Sequence, residues 1–499
     1  MNRLNIAFIT SEAVPYSKTG GLADVSGVLP GYMASLGHQV NVFLPLYKKT
    51  IREFPLLRKL DIAAEVAVGT KSFKAEVYSH EIDEGSGKYY FIANDLFFNR
   101  EELYCDPATD GDYVDNDDRF IFFSRSVLEI LKLLGDSPDI LHANDWQAAL
   151  TISLLKTAYM HDPFYKNTKS VLSIHNLAYQ GLFPAETFNK LGLDSSLFKV
   201  GQPFEYWKKV SFLKAAISYA DKITTVSPTY ASEIQSSNEY GMGLEGVLKD
   251  RSKDLIGILN GVDYDIWSPR VDKLIPFKYH VSNLSGKKKN KLELLDRASL
   301  PLRTDQPLIG MISRLDSQKG FDIFSEILDD ILKLDLQFIL LGTGAEEYHR
   351  LFERAEARYP DKLKAFLTFD NQLAHLIEAG SDIFLMPSKY EPCGLNQMYS
   401  LKYGTVPIVR RTGGLADTIT PYDELTGEGD GFVFDEYESK ELFSAIQKAV
   451  GLYGKKRIWY KIIKKGMKCD FSWDKSAKKY IDLFERMIHL NLDETEIPR

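Results

Sequence analysis

Cysteine is scarce. The 499-residue chain has three, Cys105, Cys393 and Cys469, far apart and without CxxC spacing. That pattern gives neither a disulfide framework nor a zinc-type cluster, and no metal is expected. No apolar run is long enough to span a membrane. The chain enters a strand-like run at residues 6–9 without the basic region and long apolar core of a signal peptide, so a cytoplasmic protein is expected. Positive charge is in deficit, with a net charge of −8. A general nucleic-acid binder needs a basic footprint, which makes neither nucleic acid nor membrane an expected partner. Two lysine-rich stretches, 287–291 and 455–468, read as solvated segments, the first as a loop. Also missing are GxGxxG and GxxxxGK[ST], and Gly342-Thr343-Gly344 lacks a third glycine. A nicotinamide enzyme or a P-loop is therefore poorly supported.

What the chain does have is 44% apolar and 26% charged residues, a globular balance at a length that calls for two domains. Short apolar runs at 6–9, 40–44, 140–142, 171–174, 223–226 and 256–259 alternate with segments of helical period. The scheme restarts at 308–312, 338–341, 383–386, 406–409 and 432–434. This is α/β patterning, and it predicts two Rossmann-like, doubly wound domains in tandem rather than one very wide sheet. The Asn-Gly turn in NGVD (260–263) marks the join, giving domains over 1–258 and 259–478.

The stretch 383–417 holds two successive strand–loop–helix corners, the usual ligand edge of an open α/β sheet. Its loops carry Glu391, Cys393, Arg410, Arg411 and the Thr412-Gly413-Gly414 turn, whose backbone N–H groups suit a phosphate. TGGLAD at 412–417 repeats TGGLAD at 19–24 letter for letter. If the two domains face each other across a cleft, the two turns, one with Gly20 and Gly21 behind Lys18, would meet there. Arg314 and Lys319 follow the run 308–312 and read as a diphosphate clamp, the alternative being surface ion pairs of about 0–1 kcal/mol each. His142 reads as a core histidine, whereas Asp145 and His175 fall at strand ends that deliver side chains to a site. Glu391 is one carboxylate where glycoside hydrolysis takes two; Asp145 is the candidate partner. Cys393 reads as a packed residue.

With these motifs assembled, the sequence resembles the bacterial glycogen synthase and starch synthase family, glucosyltransferases of the GT-B arrangement. The motifs are KTGGLADV (18–25), HANDW (142–146), SIHN (173–176), NGVD (260–263), SRL with KG (313–320), EPCGL (391–395) and RRTGGL (410–415), and the likeness runs to WDKSA (473–477). It implies transfer of glucose from ADP-glucose to the non-reducing end of an α-1,4-glucan such as glycogen, with retention of configuration and no metal or other cofactor. By the same resemblance, Lys18, Gly20 and Gly21 meet the diphosphate, and Arg314 and Lys319 stabilise the departing ADP. His175 and Asp145 lie by the glucose and acceptor, Glu391 holds the sugar, Gly413 and Gly414 present N–H groups beside Thr412, and Asn260 lies at the cleft. A C-terminal helix, 479–490 within a segment reaching 499, packs back on the first domain. Two departures stand out. Tyr399 replaces a second glutamate found in related transferases, and the segment 102–118 is unusually acidic, a lip over the acceptor groove or a solvated loop. The other readings are a glucan-binding protein on a retired enzyme scaffold, and a phosphorylase, which would carry pyridoxal phosphate. Oligomeric state is left open.

Overall fold

The computed structural model describes residues 3–83, 87–109 and 111–495. Its chain divides into two compact units, one of Met1–Val226, Ala231–Ile258 and Trp473–Arg499, the other of Ser227–Tyr230 and Leu259–Ser472. The expected second-domain end at 478 therefore moves to 472. The C-terminal helix runs Trp473–Thr495 rather than from Lys479. It starts early because Trp473 and Ala477 are already buried with Tyr480 and Phe484 in the apolar core of the first unit. Residues 496–499 of the expected segment lie outside the described residues.

The first unit is built on a nine-stranded sheet. Seven strands are parallel, in the order Leu255–Gly257, Lys222–Thr225, Lys169–Ile174, Ile140–Asn144, Asn5–Ile9, Gln39–Pro45 and Gly87–Ala93. Two antiparallel strands, Lys71–Asp83 and Arg58–Val68, close one edge. That edge was not among the expected strands: Arg58–Val68 alternates exposed and buried positions over its later half, a two-residue period that yields no apolar run. Asn5–Ile9 is the switch strand, since the chain first builds outward on one of its sides and then returns to pair Ile140–Asn144 on the other.

The second unit repeats the device with six parallel strands. Leu308–Ile312 lies centrally, with Gln337–Leu341 and Leu363–Phe366 on one side and Ile383–Met386, Val406–Arg410 and Phe432–Phe434 on the other. Leu363–Phe366 was missed, being four residues long and interrupted by Lys364. The lysine-rich 287–291 is no loop but part of the helix Ser285–Arg297. Lys287 and Lys291, four residues apart, share its inward face. Lys287 Nζ donates to Thr405 Oγ1 at 2.7 Å, Lys291 pairs with Asp382 at 2.6 Å, and burial pulls the Lys287 pKa down to about 7. The 455–468 stretch contains the helix Lys456–Gly466, which buries Trp459, Ile462 and Ile463. Among the described residues no helix is long and apolar enough to cross a membrane.

Candidate active site

In an open α/β sheet, ligands bind beyond the strands' carboxyl ends where the winding reverses. In the second unit that reversal lies between Leu308–Ile312 and Ile383–Met386, and a cavity of about 130 Å³ opens there, lined among others by Arg314, Lys319, Ser388 and Glu391. Gly320 lets the two loops touch. Its φ is +83°, and a Cβ there would collide with the Pro387 carbonyl, so only glycine brings the chains this close. Lys319 Nζ consequently reaches Glu391 Oε2 at 2.6 Å, and Ser388 Oγ donates to the same oxygen at 3.1 Å. Glu391 is buried at 7% exposure, with Lys319 and Ser388 as its side-chain hydrogen-bond partners among the described residues. The Arg314 side chain is 60% exposed and only loosely held, 3.5 Å from Asp316. The structure thus brings Arg314, Lys319 and Glu391 around one hollow.

In the second glycine pair, Gly414 serves a different purpose from the expected one. A Cβ on Gly413 would strike the Glu391 carbonyl and one on Gly414 the Cys393 carbonyl. Gly414 N–H donates to the carbonyls of Glu391 and Pro392. The expectation that Gly414 offers its N–H to a ligand is therefore corrected: the Thr412 turn holds the Glu391 loop. Thr412, fully buried, starts the short helix Gly413–Thr418. Cys393 is buried, and burial pushes its thiol up to about 12, which suits a packed residue and not a nucleophile. Asn260 is buried, and among the described residues its Oδ1 has no hydrogen-bond partner. Arg411 pairs with Asp435 at 2.5 Å, and Arg410 Nε donates to the Asp435 carbonyl at 3.2 Å. Tyr399, in place of the second glutamate, is stacked on Trp267 at 4.0 Å with Trp267 in turn on His375, so that position serves packing.

In the first unit the reversal lies between Asn5–Ile9 and Ile140–Asn144. Asn144, which sequence reasoning quoted only within a motif, ties these ends together. Its Nδ2 donates to the Ile9 carbonyl and its Oδ1 faces His175 Nε2, both at 3.0 Å. With Oδ1 the acceptor, His175 carries its proton on Nε2 and keeps Nδ1 as an acceptor. Burial lowers the His175 pKa to about 4, so the ring is neutral. Asp145 follows with φ +54°, a left-handed conformation that Asp tolerates at a cost. Its Oδ1 accepts the His175 N–H at 2.7 Å, and burial raises its carboxyl to about 7. His142, by contrast, packs in the core against Phe8 and Phe484, with Nε2 on Ser173 at 2.6 Å.

Lys18 is exposed and pairs with Asp24 at 2.6 Å. A Cβ on Gly20 or Gly21 would meet nothing within 4 Å, unlike its counterpart in the second hexapeptide. The Gly20 N–H donates to Glu12 at 3.2 Å. Sequence reasoning missed Glu12; its position three residues past a strand end was the available signal. The acidic segment is structured by ion pairs, Asp115 with Arg100 at 2.5 Å and Asp117 with Lys190 at 2.7 Å; Asp110 lies outside the described residues.

Two doubly wound units, each with a polar site at its switch point, define the GT-B class of glycosyltransferases. A model of the starch synthase catalytic domain matches residues 5–250 and one of glycosyl transferases group 1 matches 294–465. Glycogen synthase of Koribacter versatilis is 46% identical over 97% of this chain and 98% of its own length, and that of Thermosipho africanus is 45% identical over 97% and 99%. The catalytic domain of starch synthase IV from Arabidopsis thaliana, solved with ADP and acarbose, superposes with a TM-score of 0.88 at 33% identity, covering 98% of this chain and all of that one. Sucrose-phosphate synthase of Thermosynechococcus elongatus, with a TM-score of 0.59 at 17% identity over 98% of this chain and all of that one, shares the fold. The chain belongs to the glycogen and starch synthase family and is a glucosyltransferase.

Proposed function

We propose that the enzyme moves glucose from ADP-glucose to the non-reducing end of an α-1,4-glucan, with retention, using its own cations in place of a metal. The observation that carries this is the cavity where Arg314, Lys319 and Glu391 converge. When the bond between sugar and diphosphate breaks, negative charge grows on the departing ADP and positive charge on the ring. Fixed cations by the phosphates then stabilise the transition state more than the bound substrate. Arg314, whose fork is loosely held, is free to take two phosphate oxygens. Lys319 stands between the phosphate and Glu391, and Glu391 holds the sugar.

From the first unit, Lys18 with Gly20 and Gly21 meets the diphosphate. Among the described residues nothing lies within 4 Å of a Cβ at Gly20 or Gly21, which leaves room there for a ligand. His175, neutral and fixed by Asn144, offers Nδ1 to a sugar hydroxyl. Asp145 supports it through the backbone N–H bond. Asn260, whose buried Oδ1 has no hydrogen-bond partner among the described residues, is a further candidate to bind the donor. Such a donor places the reaction in the cytoplasm.

The test is incorporation of labelled glucose into glycogen from ADP-glucose and from UDP-glucose. Incorporation from ADP-glucose, undiminished by a chelator, is expected. Folded protein that incorporates glucose from neither donor overturns the reading, and loss of activity on chelation overturns its metal-free part.

A further inference from the structure

Glu12 is nearly fully buried, at 3% exposure, and it is a carboxylate that neither of the switch-point roles above employs. Its side chain accepts from Thr19 N–H at 2.5 Å, from Thr19 Oγ1 at 2.9 and 3.1 Å, from Gly20 N–H at 3.2 Å and from Tyr104 OH at 3.1 Å. Tyr104 OH also meets Ser11 Oγ at 2.6 Å. Burial raises the pKa of Glu12, and the backbone N–H bonds from Thr19 and Gly20 oppose that rise.

Apart from the exposed pair of Lys18 with Asp24, the turn at 18–20 has little else to hold it. Tyr16 and Ser17 donate to the Ala13 carbonyl and Ala23 to that of Gly20, but among the described residues no backbone carbonyl takes the N–H of Lys18, Thr19 or Gly20. Nor do the two glycines pack against anything, as their counterparts at 413 and 414 do. A turn with open space on one side and one buried carboxylate on the other takes its shape from that carboxylate. Holding a charge in the interior is costly, and hydrogen bonds from several donors offset the cost. A purely structural link could use an uncharged acceptor. Tyr104 adds a second consequence. It belongs to the acidic segment 102–118, so one carboxylate joins that segment to the lysine turn.

We infer that Glu12 is a positioning residue for the donor: it fixes the Lys18–Gly21 turn and, through Tyr104, couples the acidic segment to it. The inference rests on the proposed role of Lys18 at the diphosphate. Replacing the carboxylate by an amide keeps the shape of the side chain but takes away the acceptor on which Thr19 N–H, Thr19 Oγ1, Gly20 N–H and Tyr104 OH converge. Glu12→Gln is therefore expected to raise the KM for ADP-glucose about tenfold, with the KM for glycogen and the melting temperature nearly unchanged. Tyr104→Phe should raise the same KM about two- to threefold, a smaller effect because it removes one donor and leaves the carboxylate and its backbone partners in place.

The experiment is a double-mutant cycle of Glu12→Gln with Lys18→Ala, each donor and acceptor varied in turn. If Glu12 acts through Lys18, the double variant is no worse than Lys18→Ala alone. Multiplying defects, or a donor KM untouched by Glu12→Gln while Lys18→Ala raises it, overturns the inference and leaves the role of Lys18 standing. A flat donor KM in Lys18→Ala sinks that role, and the inference with it. An equal rise in both KM values together with a lowered melting temperature marks Glu12 as structural and overturns the inference. Should Glu12→Gln fail to fold, Tyr104→Phe decides, and no change in its donor KM is the overturning result.

Discussion

Lys319 and Asp145 show how one side chain can be read by what its removal leaves behind. Lys319→Ala takes the cation from beside the departing phosphate and leaves Glu391, at 7% exposure, with Ser388 as its remaining side-chain partner among the described residues. Loss of one such electrostatic donor costs about 10²–10³ in kcat. We expect a fall of that order for Lys319→Ala with the melting temperature lowered by a few degrees at most, checked by steady-state kinetics beside thermal unfolding. Asp145 gives a pH signature. Its folded pKa of about 7 stands above the ordinary carboxylate value because of burial. Between about pH 4 and 7 the folded state holds a proton that the unfolded state has released, so this group makes stability fall as pH rises, by up to about 1.4 kcal/mol per unit. His175, lowered to about 4 by burial, works the other way from about pH 4 to 6.5: the unfolded ring is protonated and the folded one is not, so stability rises with pH. Asp145→Asn should therefore gain stability relative to the parent as pH rises from 4.5 to 7. Parallel unfolding curves for the two proteins across that range would show that Asp145 titrates normally.

The two TGGLAD hexapeptides are identical in letters and different as elements. At 19–24 the glycines face open space and lead into the fifteen-residue helix Gly21–Ser35; at 412–417 they lie against the backbone of residues 391–393 and lead into six residues of helix. Substitution should separate the two. Gly414→Ala forces a methyl group into the Cys393 carbonyl, an overpacking that costs about 1–3 kcal/mol, and it should lower the melting temperature. Gly20→Ala should leave the melting temperature alone and raise the KM for ADP-glucose, because its methyl group occupies room kept for a ligand. Differential scanning calorimetry with donor titration checks both, and equal loss of stability in the two variants would refute the distinction. The helix Ser285–Arg297 carries a similar lesson. Its lysines look solvated in sequence, yet Lys287 ends on Thr405 and Lys291 on Asp382, partners more than ninety residues away that no local pattern announces.

At the scale of the molecule, the helix Trp473–Thr495 returns to the first unit after the whole second unit has been made, and its Tyr480 and Phe484 are fully or almost fully buried there. Phe484→Ala should cost about 3–5 kcal/mol, and a chain ended at Ser472 should leave the first unit unfolded; recovery of a soluble, cooperatively melting first unit from the shortened chain would contradict this. Most of the parallel strands and the polar residues at their ends were legible in the sequence because buried parallel strands are short apolar runs and sites follow their carboxyl ends; Gly87–Ala93 and Leu363–Phe366 were not among the expected runs. Arg314, Lys319 and Glu391 were legible as candidates, and the structure adds that they share one cavity. The antiparallel edge at 58–83 was not legible, since a half-solvated strand shows only weak alternation. Nor was Asn144 as a support, for a hydrogen bond between residues distant in sequence leaves no trace in either neighbourhood, whereas Glu12, seven residues before Thr19, lay within reach of a local reading and was missed. The amino-acid order by itself determined the fold class and the residue types available for the chemistry, because both arise from local period and composition. Which of those residues face a ligand, and which merely hold another in place, was decided only when the winding of each sheet brought distant strand ends together.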